Sequence, residues 1–302
     1  MQQPPVFALM GPTASGKTAL ALQLASRYPI EIVSVDSAMI YRGLDIGTAK
    51  PTQAERARVP HHLIDILEPT ASYAGGQFCA DARVILADIT ARGKIPLLVG
   101  GTLLYFHLLR RGFSDFPGTD LAARQCIEAE AAQVGWVALH HKLQQIDPLS
   151  ARTIHAHDAQ RISRALEIYD STGRTLSDWK KNQQWEPLPY TWHWGIVLPD
   201  RRAILHERIA ARFHQMIAQG FLDEVAMLRA SAELMSAPFW RMVGYSQARD
   251  YFEQHQTLQQ LEETMCAATR QLAKRQITWL QQWPDIPRWT LEAKEWAKWV
   301  TM

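Results

Sequence analysis

Val6-Phe-Ala-Leu-Met10 runs directly into Gly11-Pro12-Thr13-Ala14-Ser15-Gly16-Lys17-Thr18, and Lys17 to Arg27 then repeats apolar residues at helical spacing around Leu20 and Leu24. A short apolar run, a loop of the form GxxxxGK[ST] and an amphipathic segment predict strand, phosphate-binding loop and helix in succession. In such a loop consecutive backbone N–H groups and a helix N-terminus surround an anionic phosphate. Lys17 adds a full positive charge, and the Thr18 hydroxyl is the expected ligand for Mg²⁺. Gly11 to Thr18 are therefore the candidate phosphate or pyrophosphate site.

The neighbouring segments extend the pattern. Glu31-Ile-Val-Ser-Val35 is β-branched and ends at Asp36, while Ile95-Pro-Leu-Leu-Val99 is a continuous apolar run ending at Gly100-Gly101-Thr102. Between them Cys79 to Arg92 has amphipathic helical spacing. Strands separated by helices predict an α/β fold, with a parallel sheet flanked by helices on both faces. Ligands of such sheets bind beyond the carboxyl ends of the strands. Gly11, Asp36 and Thr102 each follow a predicted strand end, so one crevice should gather all three.

From about Asp115 to Pro189 the pattern changes. Helical segments near 120–134, 136–145 and 158–172 follow one another with no strong strand, and Ser177 to Pro189 is polar and tryptophan-containing. Trp192 to Leu198 then reads as a strand returning to the sheet. Arg201 to Gln219, Leu222 to Ala230 and Leu258 to Trp283 read as helices. The predicted organisation is a core of residues 1–114 and 190–302, interrupted by a helical insertion domain at 115–189.

Composition bounds the partners. Of 302 residues, 47% are hydrophobic, enough to bury a core. Lysine and arginine number 32 against 30 acidic residues, so any nucleic-acid surface has to be local. No apolar run approaches the ~18 residues that span a bilayer, and Met1 to Pro5 shows no leader pattern. A cytoplasmic protein without membrane contact is expected, with monomer as the default. Cys79, Cys126 and Cys266 form no CxxC pair and read as reduced, buried thiols. His61-His62 and His140-His141 lack a third ligand at useful spacing, so no zinc is expected.

A phosphate-binding loop serves many reactions. A nucleoside triphosphatase usually has a second strand ending in a magnesium-holding acid. Here Ile95 to Val99 ends in Gly-Gly-Thr, although Asp36 could fill that place. Further motifs narrow the choice. Val35-Asp36-Ser37-Ala38-Met39-Ile-Tyr41-Arg-Gly43, Asp45-Ile-Gly-Thr-Ala-Lys50-Pro51 and Gly100-Gly-Thr102-Leu-Leu-Tyr105 follow the loop in order. Asp158-Ala-Gln160-Arg161-Ile162-Ser163-Arg164-Ala-Leu-Glu167, Arg241-Met242-Val243-Gly244-Tyr245 and Thr269-Arg270-Gln-Leu-Ala-Lys274-Arg275-Gln276 come after them. The ordered set resembles the tRNA dimethylallyltransferase (IPP transferase) family over about residues 6–283.

That resemblance implies a P-loop NTPase-like core and a helical insertion that binds the tRNA anticodon stem-loop. It implies transfer of a dimethylallyl group from dimethylallyl pyrophosphate to N6 of adenosine 37, in tRNAs reading codons that begin with U. By position in the motifs, Asp36 is the base that takes the N6 proton; ordering the magnesium shell or capping a helix is its alternative. Thr102 matches a threonine at the reacting region, or it caps the next helix. Arg212 matches an arginine on the pyrophosphate, with Arg208 one turn away as the rival. The RNA contacts implied are Asp36, Ser37, Ala38, Met39, Thr102, Arg124, Gln160 to Arg164 and Arg241 to Ser246. Solvated faces and salt bridges are the ordinary alternative for such arginines. The same chemistry on free AMP is the nearest competing function; a small-molecule kinase and a non-catalytic RNA-binding module are more distant.

Overall fold

A computed structural model describes residues 3–112, 114–291 and 296–299. The chain divides into two compact units, one built from residues 1–109 and 189–302 and the other from Arg110–Leu188. In the first unit β1 (Pro5–Met10), α1 (Lys17–Ala25), β2 (Ile30–Val35), α2 (Gln53–Arg58), β3 (His61–His62), α3 (Gly75–Ala91) and β4 (Ile95–Gly100) come first, and α4 (Leu103–Arg111) runs to the unit boundary. In the second are α5 (Leu121–Val134), α6 (Trp136–Ile146), α7 (Pro148–Ala151), α8 (Ala159–Thr172) and α9 (Leu176–Asn182). The first unit resumes with β5 (Thr191–Val197), α10 (Arg202–Ala218), α11 (Phe221–Ala230), α12 (Tyr245–Glu253), α13 (Leu258–Leu280), β6 (Arg288–Trp289) and α14 (Trp296–Trp299).

The strands form one parallel sheet in the order β3-β2-β4-β1-β5-β6. β2 is buried along its whole length, and β1 and β4 all but their first residue. Burial on both faces is why these strands read as near-continuous apolar runs rather than alternating ones. Leu20 and Leu24 of α1 pack on Phe7, Leu9, Ile30, Ile32, Leu97 and Val99, every second residue of three strands and hence one face. The α3 helix buries Phe78, Ala82, Leu86 and Ile89 along one side and packs against β2 and β4.

Register decides where chemistry can occur. Met10 pairs with Gly100, and Gly100 pairs with Val35, so β1, β4 and β2 end level. The loops beginning at Gly11, Asp36 and Gly101 therefore leave the sheet side by side. Gly100 allows this closeness: a Cβ there would stand 1.9 Å from the Val35 carbonyl oxygen.

The opposite end of β2 carries a polar cluster. Glu31, buried in the strand, accepts a bond from Arg92 Nη2 at 2.8 Å and one from His62 Nε2 at 2.8 Å, with a further contact from Arg92 Nη1. The Arg92 bonds hold the Glu31 carboxyl far below its ordinary value of 4.5, at about 2. A carboxyl depressed in this way stabilises the fold above its unfolded pKa and loses that contribution as pH falls from 4.5 toward about 2. Glu31→Gln is expected to cost about 2 kcal/mol near neutrality. In urea titrations its deficit should shrink across that acid window, and a constant deficit would remove the carboxylate from the explanation.

The second unit has its own core of Ile127, Leu139, Leu143, Ile162, Leu166 and Ile168. Its observed bounds, Arg110–Leu188, begin a few residues before the expected 115–189. The polar, tryptophan-containing stretch from Ser177 holds most of α9, capped by the Thr175 hydroxyl on the Asp178 amide. Among the described residues no helix is long and apolar enough to cross a membrane. Cys79 and Cys266 are buried, but Cys126 is exposed, contrary to expectation: α5 turns it to the outer side, away from buried Ile127 and Ala131.

Candidate active site

The Gly11–Thr18 loop is a tight backbone cradle. Gly11 passes so close to β5 that a Cβ would lie 2.5 Å from the Val197 carbonyl oxygen. Gly16 caps α1 in the left-handed region, at φ 94°, which an L side chain would resist. Within the loop the Ser15 amide donates to the Pro12 carbonyl at 3.2 Å. The Ser15 hydroxyl is buried with no partner among the described residues. Lys17 Nζ folds back onto the Pro12 carbonyl at 2.8 Å.

Two arginines of α10 reach this loop. Arg208 Nη1 donates to the Ser15 carbonyl at 3.2 Å, and Arg212 Nη1 donates to Thr13 Oγ1 at 3.3 Å. Both rivals are thus loop contacts, with Arg212 lying toward Asp36. Burial pushes the Lys17 ammonium down to about 8; the nearby Asp36 charge opposes that shift and Arg212 adds to it. Burial likewise lowers Arg212, again against Asp36. Two half-buried cations held close together make a site whose electrostatic cost an incoming polyanion relieves.

Asp36 and Thr102 face this loop from the adjoining strand ends. One Asp36 carboxylate oxygen accepts the Ala38 amide at 2.9 Å, an Asx turn at the end of β2. Thr102 Oγ1 accepts the Ser37 amide at 3.0 Å and donates to Ser37 Oγ at 3.4 Å. Its hydroxyl thus ties the β4 end to the β2 end, and the Asp36 carboxylate shapes its own turn; neither bond caps a helix. Gln276 of α13 accepts the Thr13 amide and donates to the Gly101 carbonyl, both at 2.9 Å. A shallow pocket opens beside Thr13 and Arg212, lined by Ile209, Phe213, Met265 and Leu272.

The residues expected to meet RNA divide into two groups. Ser37, Arg241, Gln160 and Arg161 are exposed; Ala38, Met39, Met242, Val243 and Ser246 are half-buried. Arg161 sits in the first turn of α8, held by Asp158 at 2.7 Å. Gly244, Tyr245, Ile162 and Ser163 are not brought to the surface. The helical repeat that puts Arg161 outside puts Ile162 and Ser163 inside. Arg124 and Arg164 converge on Glu167, which is fully buried: Arg124 Nη2 donates at 2.8 Å and Arg164 Nη1 makes a close contact. Both thus make salt bridges, as Arg161 does with Asp158.

A profile described as IPP transferase matches residues 39–283, most of the chain, and one described as isopentenyl transferase matches residues 4–65. The chain belongs to the IPP transferase family. It is 51% identical over 287 residues to the tRNA dimethylallyltransferase of Alkalilimnicola ehrlichii, covering 95% of this chain and 90% of that one. Identity to the Thiobacillus denitrificans tRNA dimethylallyltransferase is 53% over 282 residues, 93% of this chain and 90% of the other. Among solved structures, a eukaryotic dimethylallyltransferase acting on tRNA superposes with TM-score 0.82 at 26% identity, covering 98% of this chain and 78% of that one. The Bacillus halodurans tRNA isopentenylpyrophosphate transferase gives TM-score 0.66 at 34% identity, over 95% and 90% of the two chains. The family fold is P-loop NTPase-like, as the resemblance implied, and the chain is a prenyltransferase.

Within this family site, the residues around the loop fit Mg²⁺ only in company. Among the described residues no group of three or more His, Cys, Asp or Glu could hold a metal. Thr18 is an exposed residue in the first turn of α1. Mg²⁺ keeps several waters and takes phosphate oxygens readily, so one hydroxyl suits an ion that arrives with pyrophosphate. Sequence reasoning gives Gln276 no role of its own, whereas it already offers Arg208 as the rival of Arg212. Gln276 lies within the quoted Thr269–Gln276 motif, and that was its available signal.

Glu167 yields a separate expectation. Besides the arginines it accepts the Asp120 amide at 2.9 Å, so it joins α8 to the start of α5. Glu167→Ala leaves two guanidinium groups without their buried partner and is expected to destabilise the helical unit by about 3–5 kcal/mol. Faster amide hydrogen exchange in α5 and α8 would report it. Unchanged exchange there would reduce Glu167 to a bystander.

Proposed function

We propose that the enzyme transfers the dimethylallyl group of dimethylallyl pyrophosphate to N6 of adenosine 37 in the tRNA anticodon loop, releasing pyrophosphate. The observation that carries this is the level ending of β1, β4 and β2. It sets a cationic phosphate loop beside a carboxylate and a threonine hydroxyl. A leaving pyrophosphate needs positive charge and amide donors; an incoming amine needs an acceptor for its proton.

In the transfer, the bond from donor C1 to N6 forms as the bond from C1 to the bridging oxygen breaks. The electron pair leaves with pyrophosphate. The loop amides, Lys17 and Arg212 stabilise that departing charge. Asp36 takes the N6 proton, which matters because the amine lone pair is delocalised into the purine ring. Bound Mg²⁺, held by Thr18 and phosphate oxygens, would add Lewis-acid neutralisation of the leaving group. Thr102 fixes the chain beside Asp36. The target base has to leave its stack, at a cost of a few kcal/mol that is least for an unpaired nucleotide. Exposed Arg241, Gln160 and Arg161 supply RNA contacts. We place the enzyme in the cytoplasm, with its tRNA substrate.

Labelled dimethylallyl pyrophosphate, Mg²⁺ and unmodified tRNA, with AMP in parallel, test the proposal. Label is expected in tRNA at adenosine 37 alone. Label in AMP alone would overturn the acceptor, and consumption of ATP without prenyl transfer would overturn the reaction.

A further inference from the structure

Glu224 of α11 touches none of the groups assigned to the prenyl donor, yet it is buried and fully engaged. Its Oε2 accepts the Asp45 amide at 2.9 Å and the Ile46 amide at 2.7 Å. Its Oε1 accepts the Gly47 amide at 3.1 Å and the Tyr245 hydroxyl at 2.7 Å. Residues 45–49 form a turn outside any strand or helix, so these three consecutive amides have no ladder to satisfy them, and buried amides left unpaired are costly. Gly47 is also wedged between rings: a Cβ would come 2.5 Å from Tyr245 Cζ and 2.6 Å from Phe221 Cε2. From the other side, buried Lys50 donates to Asp45 Oδ1 at 2.8 Å and to Asp65.

The fixed segment ends on the donor site. Thr48, the next residue, offers its carbonyl to Arg212 Nη2 at 3.4 Å, and the other arm of Arg212 reaches Thr13 in the phosphate loop. We propose that Glu224, braced by Tyr245, is a positioning residue for the donor: it fixes Asp45–Thr48 and so aims the Arg212 guanidinium at pyrophosphate. This rests on the assignment of the loop to pyrophosphate. It also gives Tyr245, expected at the RNA interface, a different task. Burial and the adjacent Glu224 keep its hydroxyl protonated well above the ordinary range, a permanent donor to that carboxylate.

The test is calorimetric binding of inorganic pyrophosphate with Mg²⁺, alongside steady-state transfer. Glu224→Gln preserves shape but turns one acceptor oxygen into an NH₂ facing donors. It is expected to weaken pyrophosphate roughly tenfold, about one charge-assisted bond, and to raise KM for dimethylallyl pyrophosphate while leaving KM for tRNA unchanged. Tyr245→Phe keeps the ring and loses one donor, so a smaller loss in the same direction is expected. A double-mutant cycle of Tyr245→Phe with Arg212→Lys should be non-additive, because both act on one guanidinium. If Glu224→Gln fails to fold, that cycle decides. Pyrophosphate affinity within twofold of wild type in folded Glu224→Gln, or strict additivity in the cycle, overturns the inference. Wild-type protein that binds no pyrophosphate overturns the donor-site assignment, and this inference with it.

Discussion

Asp36→Asn is expected to lower single-turnover transfer to tRNA by roughly 10²–10⁴-fold, the usual contribution of a positioned general base. The substitution keeps the side-chain shape, and an amide oxygen can still accept the Ala38 amide that shapes the turn. It cannot take a proton. Donor binding should change little, because two effects oppose each other. Removing the Asp36 charge lifts a repulsion on pyrophosphate, but it also removes the attraction that helps Lys17 stay protonated. Parallel calorimetry and rapid-quench kinetics separate the two roles open to Asp36. Lost transfer with retained pyrophosphate affinity identifies the proton acceptor. Lost Mg²⁺-dependent donor affinity would make Asp36 a magnesium-ordering group instead.

Lys17→Met should have the largest effect on the donor itself. A charge-assisted bond to phosphate is worth about 1.5–3 kcal/mol, so affinity for dimethylallyl pyrophosphate should fall by on the order of a hundredfold. The pH dependence provides a signature that a general loss of structure would not. Burial brings the Lys17 ammonium from 10.5 down to about 8 in the free site. The cation proposed to receive pyrophosphate is therefore present below about 8 and lost as pH rises through that value. Wild-type donor affinity should weaken across that range, whereas an ordinary lysine would hold its charge for two further units. In Lys17→Met the same stretch of pH should be flat. A wild-type profile that is flat as well would mean that Lys17 contributes little charge to binding.

The phosphate loop and the three strands beside it were legible because each is signalled locally. Glycines mark the cradle, and burial on both faces leaves continuous apolar runs. The contributions of Glu224 and Gln276 are different in kind. A glutamate within Phe221–Ala230 looks like any exposed helix acid until the fold brings the Asp45–Gly47 amides onto it. Two-residue β3 and β6 carry no periodicity to detect. Arg124 and Arg164 show a further limit. Motif position assigns them to RNA, and nothing local in the sequence shows that the fold also pairs both with buried Glu167. Thr102 was ambiguous for a similar reason, since a threonine after Gly-Gly can cap the following helix. Only the closeness of β2 and β4 brings the Ser37 amide within its reach.

Lys17 rests on the carbonyl of Pro12, five residues back in its own loop. With its backbone already curved around the anion position, the loop can accept the donor by exchanging a single hydrogen-bond partner of one flexible side chain. Donor loading should then show no slow conformational phase, and its rate should respond to ionic strength as an encounter between opposite charges does. The slow steps of the turnover would belong to the RNA, whose base has to unstack, rather than to the small molecule that supplies the prenyl group.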